Sequence, residues 1–322
     1  MPALQKSIAI ILPAYNEELT IVDTMKDFFS VCPDAEIYVV DNASKDRTNE
    51  LARAAYLELG CKGRLLEEPR KGKAAAVRKA FFEIDADIYV MADADLTYPA
   101  SDLPKLLAPV IEGRADIVCG NRHDSGVYKR ENKRPLHDFG NNLVRNLINW
   151  LFNGSLEDIL TGYRIMSKRF VKNYPILAGG FELETEMSIH ALDKGYAIIE
   201  LPTDYRDRPE GSFSKLNTIT DGILVLKTIF SIFVKHRPLI FFSACGVIFS
   251  ALALIAGGIP VIEYFQTGKV ARFPLAILAS GLSILAMISF AVAVILDTLA
   301  SAQRFNHALS LLHWHDITRE KP

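Results

Sequence analysis

Two aspartates, Asp93 and Asp95, stand two positions apart directly after the apolar run 88–92. In a continuing strand their side chains share one face. Where the chain turns, they can converge on one cation. Carboxylate oxygens are hard ligands that suit Mg2+ or Mn2+, and such an ion also takes diphosphate oxygens from a substrate. It would neutralise a departing nucleoside diphosphate. An isolated Asp-x-Asp fits a pair of solvated turn aspartates better, so its weight depends on its neighbours. Pro13-Ala14-Tyr15-Asn16-Glu17 follows the apolar run 8–12, where a nucleotide can lie against backbone and ring. Asp41 heads the segment 41–48 after the run 36–40 and is placed to accept a hydrogen bond from a base or ribose. Ser44 and Asp46 in that segment read better as helix N-caps. Lys71-Gly72-Lys73 precedes an amphipathic stretch, and a basic turn at a helix N-terminus favours an anion.

These segments need a frame. Up to about residue 215 the chain alternates short apolar runs with amphipathic stretches. Runs 8–12, 36–40, 88–92 and 116–119 predict strands; 20–30, 47–59, 73–84 and 104–112 predict helices. That rhythm implies an α/β fold, a mostly parallel sheet with helices on both faces. Ligands in such sheets bind where strands end and loops begin, which is where the three segments fall.

Three strand-end motifs in this order, the third an Asp-x-Asp, resemble the family-two glycosyltransferases of the GT-A fold. Downstream, Asp158-Ile159-Leu160-Thr161-Gly162-Tyr163-Arg164 looks like that family's segment beside the sugar site. The run from Tyr205 to Lys215, with Arg206, Arg208 and Ser212, looks like the basic segment of the dolichyl- and polyprenyl-phosphate sugar synthases. The resemblance covers about two thirds of the chain. It implies a nucleotide-sugar donor held by Pro13, Ala14, Tyr15, Glu17, Asp41, Lys73, Asp93 and Ala94, with a metal on Asp93 and Asp95. It differs from the mannose synthases at Thr97, where those commonly have a glutamine near the metal. The Gln-x-x-Arg-Trp motif of processive polymer synthases is absent.

Charge suggests the acceptor. Arg122, Arg206 and Lys215 can converge on a phosphate, arginine by a bidentate fork and lysine as a point charge. A phosphate monoester is largely ionised at neutral pH, its second pKa being about 6. Such an acceptor needs alignment and charge neutralisation rather than a base. The expectation is a single inverting displacement onto polyprenyl phosphate, without an obligate base, from a UDP-hexose in preference to GDP-mannose. Glu184, in Phe181-Glu182-Leu183-Glu184-Thr185-Glu186, is a candidate for binding sugar hydroxyls, orienting arginines or supplying a base; the acidic start of a helix is the plainer reading. A diacylglycerol or lipid-linked sugar acceptor, or a non-catalytic membrane scaffold, are the competing expectations.

The last third is built for another solvent. Residues 239–262 and 273–296 are two runs of 24 residues without a charge. Each is long enough to span about 30 Å of hydrocarbon. A short polar turn separates them, which predicts a transmembrane hairpin with both ends on one side. Basic residues around the spans favour the cytosolic side for those ends. Residues 216–234 carry apolar side chains at helical spacing and predict interfacial helices. The expected organisation is a catalytic domain over 1–215, interfacial helices over 216–237, two spans over 238–300 and a cytosolic tail over 301–322. The N-terminal apolar run is too short for a signal peptide, so the expected location is the cytoplasmic membrane with the catalytic domain in the cytosol. Half of the residues are hydrophobic and the formal net charge is −2, which argues against nucleic-acid binding. The four cysteines have no metal-ligand spacing. Homo-oligomerisation is expected to be compatible with so small an anchor.

Overall fold

The computed structural model describes residues 6–122, 135–176, 183–206, 230–231, 234 and 237–319, with backbone only for 135–139, 141 and 313–319. Lys215, Arg208, Ser212 and most of the amphipathic stretch 216–234 lie outside the described residues. The chain forms two compact units, 1–222 and 223–322.

The first unit is organised by a mixed sheet of seven strands: β1 (Ile8–Ala14), β2 (Glu36–Asp41), β3 (Gly63–Glu67), β4 (Ile88–Met91), β5 (Ile117–Asn121), β6 (Arg164–Ser167) and β7 (Ile198–Pro202). Their order is β3-β2-β1-β4-β6-β5-β7. All pairs are parallel except those made by β6, which runs antiparallel between β4 and β5. The helices are α1 (Ile21–Val31), α2 (Thr48–Leu59), α3 (Lys73–Glu83), α4 (Leu103–Ile111), α5 (Pro135–Phe152), α6 (Lys168–Asn173) and α7 (Leu183–Asp193).

Strand side chains alternate between faces, and here both faces are covered. Ile10, Leu12, Ile37, Val39 and Val90 pack with Ile21, Met25 and Phe28 of α1, Ala52 and Ala55 of α2, and Leu103 and Leu106 of α4. On the opposite face Tyr89 meets Phe81 of α3 edge-on, and Lys172 of α6 lies 5.7 Å over the Tyr89 ring. Central strands therefore read as unbroken apolar runs rather than alternating ones.

The strands reach further than their apolar runs. Pairing continues through Pro13 with Val40 and Ala14 with Asp41. Pro13, Ala14 and Asp41 are thus the last strand residues, not the first loop residues, because the ladder outlasts the hydrophobic stretch.

The second unit contains α8 (Pro238–Thr267) and α9 (Phe273–Arg319), both long and apolar enough to cross a membrane. They form a hairpin whose seam is made of small residues. Ala279, Ala286, Ala293 and Ala300 of α9 are buried, as are Gly246, Ala253, Ala256 and Pro260 of α8. A Cβ added at Gly246 would stand 2.8 Å from the Phe290 ring, so the hydrogen there sets the approach of the two backbones. α9 does not stop at the end of its uncharged run but continues through 301–319.

Candidate active site

The C-terminal ends of β1, β2 and β4 open onto loops that are tied to one another. Asn16, with φ 55°, donates its amide to Ser44 Oγ at 3.0 Å, and its side-chain oxygen accepts from the Lys45 amide at 2.8 Å. The Glu17 amide donates to Thr48 Oγ1 at 2.8 Å, and the Glu17 carboxylate accepts from Thr20 Oγ1 at 3.1 Å. Asp41 is buried and accepts from the Ser44 amide and from Asn49 Nδ2, both at 3.1 Å. Asp46 accepts from the Thr48 amide and hydroxyl at the start of α2, but the N-cap residue is Arg47, without a side-chain cap, so neither Ser44 nor Asp46 occupies the N-cap position expected of them.

Asn42 joins the second loop to the third. It is buried, donates to the carbonyls of Glu68 (3.2 Å) and Arg70 (2.6 Å), and accepts from the Gly72 amide at 2.7 Å. Gly72 sits at φ +114°, a backbone angle that side chains disfavour, and starts α3 at Lys73. Glu68 holds the same loop through Arg70, and that hydrogen-bonded pairing pulls its carboxyl down to about 2.

Lys73 reaches back across the sheet end. Its ammonium is 2.5 Å from Asp93 and 2.6 Å from Glu184 at the start of α7. Burial alone would push this lysine down, but the two carboxylates outweigh it and raise its pKa above the ordinary lysine range. The basic turn thus does not present Lys73 to an anion in this arrangement; the lysine is spent on two carboxylates of the same site.

Asp95 is buried and accepts from Thr97 twice, from the hydroxyl at 2.6 Å and the amide at 3.2 Å, both on Oδ1. Thr97 is therefore an orienting neighbour of Asp95. Between the aspartates, the Ala94 carbonyl accepts from Thr20 and Thr24 hydroxyls at 2.8 and 3.1 Å, which pins the turn to α1. A carboxylate offers about four lone-pair sites, and Asp93 and Asp95 are donors of the type a hard cation takes. Two oxygen donors from one turn fit a divalent ion that draws its other ligands from diphosphate and water. Among the described residues no group of three or more His, Cys, Asp or Glu is arranged to hold a metal unaided.

The arginines are paired. Arg122, buried after β5, gives Nε and Nη2 to the two oxygens of Asp158 at 2.7 and 2.8 Å. Its guanidinium also lies 5.6 Å from the Tyr205 ring centroid. Asp158 is set in turn by Glu200, which accepts the amides of Glu157 and Asp158 at 2.6 and 2.8 Å. Burial raises the Glu200 carboxyl, against these two hydrogen bonds. Arg206 pairs with Asp27 of α1 at 2.9 Å, and its amide donates to the Thr97 carbonyl at 2.9 Å. Arg206 thus stands beside the Asp95–Thr97 turn.

Tyr98, which sequence reasoning did not single out, and Arg164, named there only as the end of the 158–164 segment, tie these groups together. Tyr98 is buried and its hydroxyl accepts from the Gly162 amide at 2.8 Å, while its ring meets Tyr205 edge-on. Gly162 in turn leans on Asp93: a Cβ there would lie 2.7 Å from Asp93 Oδ2. Arg164, wholly buried, donates to the carbonyls of Thr161 and Ile159 and to Ser188 Oγ, all at 3.0 Å. It shapes the 158–162 turn and fastens it to α7. The Asp-x-Asp-x-x-Tyr spacing was a signal for Tyr98; nothing in the sequence marked Arg164 as buried.

Of the expected site residues, the structure brings Lys73, Asp93 and Glu184 into direct contact and sets Arg206 against the Asp95 turn. Pro13, Ala14, Tyr15, Glu17 and Asp41 line the neighbouring strand ends. Arg122 is joined to the 158–162 segment rather than to the two aspartates.

The family model described as Glycosyl transferase family 2 matches residues 9–174. Glycosyltransferase AglJ of Haloferax volcanii is 31% identical over 252 residues, 77% of this chain and 79% of that protein. The dolichyl-phosphate hexose transferase of the same organism is 30% identical over 231 residues, 71% of this chain and 95% of that protein. Among solved structures, glucosyl-3-phosphoglycerate synthase from Mycobacterium tuberculosis, in complex with Mn2+, UDP and phosphoglyceric acid, superposes with a TM-score of 0.54. It is 23% identical, with 70% of this chain and 78% of that chain covered, a likeness of fold. The chain belongs to glycosyl transferase family 2 and is a glycosyltransferase of the nucleotide-sugar type.

Proposed function

We propose that this enzyme transfers one hexose, with inversion, from a UDP-sugar to a polyprenyl phosphate at the cytosolic face of the cytoplasmic membrane. The observation that carries the acceptor is the pairing of a family-two catalytic unit with an apolar hairpin long enough to cross a membrane. The relative named dolichyl-phosphate hexose transferase, matched over 95% of its length, supports the same reading. The solved neighbour crystallised with Mn2+ and UDP supports a divalent cation and a uridine donor.

In this reading the strand ends from Pro13 to Glu17, with Asp41, receive the nucleoside, and Asp93 and Asp95 hold Mg2+ or Mn2+ against its diphosphate. The metal supplies charge neutralisation of the leaving group. Arg206, Lys215 and Arg122 serve the acceptor phosphate, whose ionised oxygen needs no proton removed. Glu184, buried and 2.6 Å from the Lys73 ammonium, is assigned to holding that lysine rather than to proton transfer. The catalytic domain is taken as 1–215, followed by interfacial helices over 216–237, spans within 238–300 and a tail over 301–322.

The test is a transfer assay on detergent-purified full-length protein with polyprenyl phosphate, Mg2+ or Mn2+, and a panel of radiolabelled UDP- and GDP-sugars. A metal-dependent, organic-extractable labelled product that vanishes in Asp95→Asn is expected with a UDP-sugar. Binding of nucleotide-sugar without any product on polyprenyl phosphate would overturn the acceptor assignment.

A further inference from the structure

We propose that Lys73 is a resident counter-ion that holds the cation's place on Asp93 until metal and nucleotide arrive together, whereupon Glu184 retains it. The proposal rests on the reading of Asp93 and Asp95 as the metal site.

Three features carry it. First, one ammonium is shared by two carboxylates, at 2.5 and 2.6 Å, in the way a bound cation would be. Second, the two carboxylates differ in access. The Asp93 side chain is 30% exposed and that of Glu184 only 7%, so an ion entering from solvent meets Asp93 first. Third, the backbone under Lys73 is fixed while its side chain is not. Gly72 is pinned by Asn42, whereas the lysine stem has four carbons and a rotatable ammonium. A small swing of the head group away from Asp93 keeps the bond to Glu184. Asp93 occupies the space that the missing Cβ of Gly162 leaves open, since a Cβ there would stand 2.7 Å from Oδ2.

The arrangement has a physical purpose. Without Lys73, the carboxylates Asp93 and Glu184 would lose the ammonium they share, and a divalent ion would meet more negative charge there with no nucleotide present. With Lys73 in place, the ion must bring enough added negative charge to compete, and a diphosphate supplies it. Metal binding is thereby made conditional on the donor. Glu184 acts through Lys73 and is a positioning residue.

The experiment is Mn2+ titration of the detergent-purified full-length protein by electron paramagnetic resonance of the free ion, with and without UDP. No turnover is needed. Wild type is expected to bind Mn2+ weakly alone and at least tenfold more tightly with UDP. Lys73→Met should bind Mn2+ alone about tenfold more tightly than wild type, shrinking the UDP effect, and Lys73→Arg should restore it. Glu184→Gln, which strands Lys73 on Asp93, should weaken Mn2+ binding severalfold in the presence of UDP. A folded Lys73→Met with wild-type Mn2+ affinity overturns the proposal. Should Lys73→Met not fold, unchanged Mn2+ affinity in Glu184→Gln overturns it by itself. Failure of the underlying metal-site reading looks different: wild type would bind no Mn2+ even with UDP, or Asp95→Asn would bind it unchanged.

Discussion

The two sides of the site are built on different principles. Around the ends of β1 and β2, neutral Asn16, Asn42, Ser44 and Thr48 lace the loops, and the carboxylates of Asp41 and Asp46 there take amides and hydroxyls rather than cations. Around the ends of β4 and β5, charges face charges: Lys73 with Asp93 and Glu184, Arg122 with Asp158, Arg206 with Asp27. A neutral lacing fixes shape and costs little to leave alone, which suits a nucleoside recognised by fit. Paired charges can be traded for a ligand's charges, which suits a diphosphate, a metal and an acceptor phosphate. One side is a mould and the other an exchange.

That contrast can be broken at the charged side first. Asp95→Asn should lower transfer at least ~10³-fold, as expected when a group that stabilises developing charge is lost. Retention of more than a tenth of wild-type kcat in the radiolabel assay would refute a charge-based role for this turn. Gly162→Ala should come next. Its Cβ would stand 2.7 Å from Asp93 Oδ2 and displace that carboxylate, costing about 10²-fold in kcat and weakening UDP binding in the presence of Mn2+ but not in its absence. Calorimetric UDP binding beside steady-state kinetics separates the two effects.

The neutral side should respond in stability and nucleotide affinity. Asn42→Ala leaves the Gly72 amide and two carbonyls without their partner, an effect of about 1–3 kcal/mol. Chemical denaturation would show it, together with weaker UDP binding; a loss confined to kcat would contradict the assignment. The smallest effect sharpens the boundary between the sides. Glu68 has a folded pKa of about 2 against an ordinary 4.5, so its contribution is present above pH 4.5 and is lost as pH falls toward 2. Because Arg70 is largely exposed, the loss is about 1–2 kcal/mol. Glu68→Gln should flatten that part of the stability profile, measured as the difference from wild type over the same pH range.

What was legible in the sequence follows from the same physics. The strands 8–12, 36–40, 88–92 and 116–119 were visible because burial on both faces makes them continuous apolar runs. β3 was not, since Gly63 and Arg64 at its start and Glu67 at its end face solvent at the sheet edge. β6 was hidden because it is four residues long and opens with Arg164, a charge that only tertiary hydrogen bonds allow inside. The Asp-x-Asp could be read from spacing, because its chemistry is local. The pairing of Lys73 with Glu184 could not, because the partners are far apart in sequence and meet only through the crossover of α3 and α7 onto one sheet end. The pairing of Arg122 with Asp158 was hidden for the same reason: the two lie far apart in sequence and meet only in the fold.

The alanine seam of the hairpin has a consequence for how the anchor tolerates change. Ala279, Ala286, Ala293 and Ala300 recur every seven residues, the period of a left-handed supercoil. In lipid, where the proposed function puts the hairpin, burial of apolar surface gives no drive for helices to associate, so close packing of small side chains must supply it. Seam positions should therefore be sensitive to volume and indifferent to hydrophobicity: alanine to serine passes, alanine to leucine does not. The outward positions, such as Ile277, Leu285, Met287 and Ile295, are exposed and should show the inverse, accepting any bulky apolar residue and rejecting a charge. A saturation library of α9 would then separate into two interleaved classes of site, each blind to the property that governs the other.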